Sequence, residues 1–306
     1  MIDRIKFLIK DVDFDIVERL DLTLDALYKK KYESEVYEGN IGNLTIKYRK
    51  SSEDKILTIN GSLHKYYKGN NFSSFTIDEA KKAILQLEEK VGISKDRFMV
   101  QNIELGLNIR MPRTPMKYIY TIKSYKFKDF IPMTPYETKV MGYRCKFTNY
   151  EIKFYDKTYD AKVQDKQIAP KNTLRYEIKM KNKYATRKGF IEVTAEKIFD
   201  GIYLPKAKRL MDNIFKELDF LDLSCNHEGI EPNEVKEYFF IKSDNYKFYI
   251  EYLKELEEKD PKKKVYKNAM DAKRRLVKKV RPNLTGELTG ELKEKFAKGI
   301  EALSKK

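Results

Sequence analysis

The chain has no tryptophan, two cysteines and two histidines in 306 residues. Cys145 and Cys225 cannot build a disulfide framework, and no CxxC pair is present. That usage points to a reducing cytoplasm, with Cys145 as a buried structural thiol. With only His64 and His227, an HxH metal site is absent. Any metal must lean on carboxylates, with His64 as a helper and His227 as a structural residue. No run of 18 apolar residues exists, so no membrane span is expected. The opening MIDRIKFLIKDVDF has Asp at positions 3, 11 and 13, which does not fit a signal peptide. P-loop, GxGxxG, HExxH and GxSxG motifs are all missing, which argues against nucleotide hydrolysis, dinucleotide redox and serine hydrolase chemistry.

What is present is positive charge. The net charge is +16, and nucleic acid is the default partner for such an excess. A Lys-rich coding bias is the alternative source of it. Hydrophobic residues make up 41%, enough for a sizeable core in one large domain or two ordinary ones. The 22 tyrosines and 17 phenylalanines divide between that core and, where Tyr sits among Lys, surfaces suited to base stacking.

The patterning predicts an α+β fold: an antiparallel sheet with helices packed on one face, plus a C-terminal helical region. Strands are expected at 1–10, 44–49, 55–67, 99–110, across CKFTNYEIKFYDK and at 172–181. A short helix is expected within 15–31. Residues 76–92 carry the clearest helix, with a Thr76/Glu79 capping box, an apolar stripe from Ala80 to Val91 and Gly92 as the stop. Four prolines between 112 and 135 bracket YIYTIKSYKFKDF, a strand or a loop. DAKVQDKQIAPKN reads as a polar loop. Helices follow near 194–201, 205–219, 231–258, 262–280 and 290–304. The domain division expected is 1–222 and 223–306, the second basic and helical.

Three alternating strands have unusual polar faces. Residues 99–110 offer Asn102, Glu104 and Asn108. Residues 149–157 offer Glu151, Lys153, Tyr155 and Lys157. Residues 172–181 offer Arg175, Glu177, Lys179 and Lys181. As neighbours in one sheet they would bring together carboxylates for a hard divalent cation, cations for phosphate, and a phenol. Tyrosine transesterification on DNA needs that set: Mg²⁺ or Mn²⁺ on oxygen ligands, a nucleophilic phenol, and positive charge at the phosphate. The alternative is the ordinary wet face of a charged sheet. Periodicity does not choose among Tyr155, Tyr159 and Tyr184 as nucleophile.

The order of segments resembles the gene II replication initiators of filamentous phages and the related phage X proteins. The resemblance runs from residue 1 to about 222, through the opening MID, INGSLHKYYKGNNF, NIELGLNI, IKFYDK and TLRYEIKMKNKY. Gly69, Asn70 and Asn71 stand where that pattern has Gly-His-Asn, and Glu104 stands where it has Asp. GYRCKFTNYEIKFYDK also looks like the Tyr-Asp-Lys strand of the rolling-circle plasmid Rep proteins of the Rep_trans group. The resemblance implies a DNA nicking and joining endonuclease for rolling-circle replication, with a covalent 5′-phosphotyrosine intermediate. It places the nucleophile on Tyr155 and the metal ligands on Glu104 and Glu177, with His64 or Asn70 expected nearby. Lys153, Lys157 and Arg175 then grip the scissile phosphate. Lys65, Lys68, Asn70 and Lys179 are expected to contact single- and double-stranded origin DNA, and, beyond the reach of the resemblance, the charge of the basic helix KNAMDAKRRLVKKV adds Lys273, Arg274 and Arg275 to that expectation. A host helicase partner and a bacterial cytoplasm follow from the same resemblance. The second expectation, from another class, is a basic single-stranded DNA- or RNA-binding protein without catalysis.

Overall fold

Alternation in the strand segments yields one large antiparallel sheet. The computed structural model describes residues 2–25, 35–134, 139–189, 193–199, 203–221, 230–241, 243, 245–283 and 286–303. In chain order the strands are β1 (Ile2–Lys10), β2 (Thr23–Leu24), β3 (Glu35–Ile41), β4 (Leu44–Lys50), β5 (Lys55–Ser62), β6 (Met99–Arg110), β7 (Ile122–Tyr125), β8 (Lys128–Asp129), β9 (Ile131–Met133), β10 (Gly142–Lys146), β11 (Tyr150–Asp156), β12 (Thr173–Met180) and β13 (Leu218–Phe220). Ten of them form one sheet in the order β2-β3-β4-β5-β1-β6-β12-β11-β10-β9. The fold class is α+β, as expected.

One face of the central strands is apolar. Phe154 stacks on Tyr176 with ring centroids 4.6 Å apart. Phe215 from helix Tyr203–Lys216 and Phe296 from helix Glu287–Ala302 pack edge-on to Tyr176 at 6.2 and 5.7 Å. The Tyr176 hydroxyl donates to the Met211 carbonyl at 3.2 Å, so the buried phenol is satisfied. Helix Ile77–Val91 forms where expected, with both capping-box hydrogen bonds and Gly92 in the left-handed region at φ 65°.

Several local expectations are corrected. Residues 63–67 are not strand: Ser62 caps helix Leu63–Lys68, its hydroxyl accepting from the Lys65 amide. CKFTNYEIKFYDK is not one strand but parts of two, β10 and β11, a hairpin turning at 147–149. Residues 157–164 are helical, capped by the Asp156 side chain, where Lys157 was expected to end a strand and residues 160–164 to begin a loop. Pro115 opens helix Pro115–Ile119, a position that tolerates its missing amide hydrogen. The N-terminal helix is only Ile16–Arg19, and residues 26–31 of that expectation lie outside the described residues. Near 194–201 the described structure is a short 3₁₀ turn, Lys197–Phe199. Residues 231–258 divide into helices Pro232–Ile241 and Asn245–Lys259.

The chain divides into two compact units, Met1–Met116 with Ile131–Lys216 and Lys295–Lys306, and Lys117–Phe130 with Glu217–Glu294. The expected boundary at 222/223, like Cys225 and His227, lies outside the described residues. In the second unit β13, β7 and β8 form a small sheet. Ile230, Tyr238 and Val280 are buried together, with Val235, Leu276 and Val277 against them. Helix Val265–Asn283 is tied to helix Pro232–Ile241 by Lys279, which donates to both Glu234 oxygens at 2.6 and 2.7 Å. No described helix is long and apolar enough to cross a membrane.

Candidate active site

Strands β6, β12 and β11 are adjacent, and their register aligns the polar positions. Glu177 lies opposite Lys153 on one side and Gly106 on the other. Arg175 lies between Tyr155 and Asn108, and Lys179 between Glu151 and Glu104. Partners across a ladder share a face, so the three polar rows become one surface.

The fourth strand adds a residue that alternation hides. Ile2 pairs with Leu105 and Ile5 with Ile103, three residues against two. This bulge holds Ile2 and Ile5 both on the apolar side and turns Asp3 to the polar side. Counting alternately from Ile5, Phe7 and Ile9 puts Asp3 on the wrong face. Ser62, at the end of β5, donates to Asp3 Oδ1 at 2.7 Å.

The centre of this polar face is buried. Arg175 is 2% exposed, Glu177 3%, and Glu104 and Tyr155 7% each. Buried charges persist only when matched, and here they are. Glu177 accepts from Arg175 Nε at 2.5 Å and from the Tyr155 hydroxyl at 2.6 Å, both on Oε1. Lys153 Nζ donates to its Oε2 at 3.2 Å and lies 3.6 Å from Glu104 Oε1. Arg175 also pairs with Asp3 Oδ2 at 2.5 Å and donates to Asn108 Oδ1 at 2.8 Å. A Cβ on Gly106 would collide with the Arg175 guanidinium, and one on Gly142 with the backbone and Cβ of its partner Tyr155. Both glycines make room for the cluster.

The electrostatics separate the groups. Burial pushes the Glu104 carboxyl up, and the neighbouring Glu177 charge adds to it. Burial acts the same way on Glu177, but Arg175 and Lys153 outweigh it and hold that carboxyl below its usual range. Burial, then the Glu177 charge, raises the Tyr155 phenol well above its ordinary value. Lys153 is held above its ordinary value because Glu177 and Glu104 overcome the burial that would lower it.

Asp3, Glu104 and Glu177 each offer a carboxylate oxygen, all within 4.8 Å of one another. An all-oxygen, anionic donor set on three adjacent strands fits a hard cation such as Mg²⁺ or Mn²⁺. A groove of about 610 Å³ opens over them, lined also by Asn71, Lys153 and Tyr155.

The remaining expected residues are placed as follows. Lys157 begins helix Lys157–Gln164, is buried and lies 2.6 Å from Asp160 Oδ2; it lines the same groove. His64 Nε2 is 3.1 Å from Ser73 Oγ, and its ring stacks on Phe75 at 4.6 Å. Burial lowers the His64 pKa to about 4. Lys65 pairs with Asp165 at 2.6 Å, Lys68 pairs with Glu79, and Lys179 is exposed. Asn70 caps the local turn, Oδ1 accepting from the amides of Phe72 and Ser73 at 3.2 and 2.9 Å. In the second unit, Lys273 lies 3.6 Å from the Phe127 ring centroid, Arg274 lies 3.0 Å from Asp271, and Arg275 is exposed. Tyr184 stacks at 4.2 Å on Tyr150, which shares the apolar side with Ile152 and Phe154. Tyr159 lies in the helix after β11, under Lys139. Of these three tyrosines, Tyr155 lines the groove. Asp3, Ser62 and Asn71 are not among the expected site residues; Asn71 matches only a family pattern, and the face of the Asp in MID depends on the bulge.

Fold and site together define an α+β chain whose central antiparallel sheet buries a metal-competent carboxylate cluster against a tyrosine. No protein-family model matches the chain, and no curated protein matches it. Among solved structures it is similar to a rolling circle replication initiator protein from Geobacillus stearothermophilus. The identity is 12% over 76% of this chain and 89% of that one, with a TM-score of 0.38.

Proposed function

We propose that the chain is a phage- or plasmid-encoded initiator of rolling-circle replication that nicks and rejoins origin DNA. One observation carries the reading: the Tyr155 hydroxyl meets Glu177 at 2.6 Å within the group of three buried carboxylates. A surface strand has no physical reason to bury Asp3, Glu104, Glu177, Arg175 and a phenol together, with Lys153 at their edge. The charge of +16 supports a nucleic-acid substrate.

In this reading Tyr155 Oη attacks the scissile phosphorus and the P–O3′ bond breaks. The 3′ oxygen leaves as a hydroxyl, taking up in the net reaction the proton that Tyr155 gives up by way of Glu177, and the 5′ phosphate stays on the tyrosine. Glu177, which accepts the phenolic hydrogen bond, is placed to receive the proton that Tyr155 gives up. A divalent cation on Asp3, Glu104 and Glu177 would polarise the phosphate and ease loss of that proton. Lys153 and Arg175 balance the carboxylates at rest and meet the charge on the phosphate oxygens during transfer. Lys157 lines the groove as a further cation. Rejoining is the reverse, with a free 3′ hydroxyl attacking the phosphotyrosine. Arg274 and Arg275 on helix Val265–Asn283 hold the DNA backbone without reading sequence.

The test is a covalent adduct. The protein is incubated with labelled single strands spanning several phage and plasmid origins and Mn²⁺, then boiled in SDS. An adduct that disappears in Tyr155→Phe is expected. An adduct surviving Tyr155→Phe but lost in Tyr184→Phe or Tyr159→Phe moves the nucleophile. No adduct on any origin, with tight salt-sensitive binding, replaces the enzyme with a non-catalytic single-strand binder.

A further inference from the structure

Two neighbouring asparagines lie in very different states. Asn70 has both ends of its amide engaged, Oδ1 with two backbone amides and Nδ2 with the Lys68 carbonyl at 3.3 Å. Asn71 is 6% exposed and borders the carboxylate groove. Its backbone is pinned there: its carbonyl accepts from Arg175 Nη1 at 2.9 Å and from Asn108 Nδ2 at 3.1 Å. Its side chain is not. Nδ2 reaches Asp3 Oδ2 only at 3.4 Å, and Oδ1, fully buried, has no hydrogen-bond partner among the described residues.

A buried amide oxygen without a partner is costly, so such an atom calls for a reason. The two ends of an amide have the same shape, and their partners decide which faces where. Turned over, Asn71 would set its oxygen against Asp3 Oδ2. Two acceptors repel unless a cation stands between them. With ligands at about 2.0–2.6 Å from a hard cation, adjacent ligand oxygens stand about 3–3.5 Å apart. The Asn71–Asp3 spacing falls in that range.

We infer that Asn71 is a fourth oxygen ligand of the cation held by Asp3, Glu104 and Glu177, giving its side-chain amide oxygen. The inference rests on the metal-assisted reading above. It assigns the site a neutral ligand beside three acidic ones, supplied by the turn after helix Leu63–Lys68 and not by the sheet.

Direct metal binding by the full chain, without DNA, tests it. Mn²⁺ is titrated into the wild type, Glu104→Gln and Asn71→Ala and followed by electron paramagnetic resonance of the free ion. Asn71→Ala is expected to weaken Mn²⁺ binding by about tenfold or more. A second variant separates a ligand from a merely structural side chain. Asn71→Cys, bearing a soft thiolate, is expected to raise the preference for Cd²⁺ over Mn²⁺. Asn71→Ala binding Mn²⁺ like the wild type, while Glu104→Gln does not, overturns the inference and leaves the carboxylate site standing. Loss of both metals in parallel in Asn71→Cys also overturns it. A wild type that binds no Mn²⁺ removes the carboxylate site as well.

Discussion

The two faces of strands β6, β12 and β11 are chemically opposite, and both bury their centres. On one, Ile152, Phe154, Leu105 and Tyr176 are fully buried and pack against aromatic side chains of two helices. On the other, Glu104, Glu177, Arg175 and Tyr155 are nearly as buried with no apolar reason to be so. The apolar face is explained by removing area from water. The polar face costs desolvation free energy that ion pairing only partly returns. The comparison also shows how misleading alternation is on its own: it correctly splits the faces, but it labels the charged one wet.

The largest expected effects break each face in turn. Glu177→Ala leaves the buried Arg175 and the partly buried Lys153 without their shared acceptor and is expected to cost about 3–5 kcal/mol. Phe154→Ala opens the aromatic core and is expected to cost a similar ~3–5 kcal/mol. Urea unfolding measures both, and an ordinary wet face would show under about 0.5 kcal/mol for Glu177→Ala. Next comes Gly106→Ala, a single methyl on the polar side that meets the Arg175 guanidinium. It is expected to cost about 1–3 kcal/mol as an overpacked site, and an unfolding midpoint equal to the wild type would show that Arg175 moves freely.

The smallest effect concerns pH. His64 is neutral in the fold because burial lowers its pKa from 6.5 to about 4. The unfolded chain takes up a proton there as pH falls below 6.5, and the folded chain does not. This contribution to stability is therefore lost on acidification, by about 1.4 kcal/mol per pH unit at its steepest. Glu104, raised in the fold, acts with opposite sign, so wild type must be compared with His64→Gln. Their stability difference should change between pH 6.5 and 5, and a constant difference would remove the assignment.

The site was legible in part, for reasons particular to each residue. Glu104, Lys153, Tyr155, Arg175 and Glu177 sit at alternate positions of unbroken strands, where period two determines the face. Lys157 follows the same count, yet Asp156 caps a helix there and carries it out of the strand. Asp3 fails the count because one extra residue in β1 reverses its side. Asn71 lies at a turn, where no period applies, and Ser62 ends β5; both reach the cluster only through long-range contact.

By itself, then, the sequence determined the basic charge, the α+β class and the side of the strand on which most candidate residues lie, because these depend on composition and local periodicity. Only the tertiary structure decided that β6, β12 and β11 are neighbours, that the centre of their polar side is buried beneath a groove, and that Asp3 and Asn71 join it. Strand order, bulges and burial arise from contacts between residues far apart in the chain, and no local pattern encodes them.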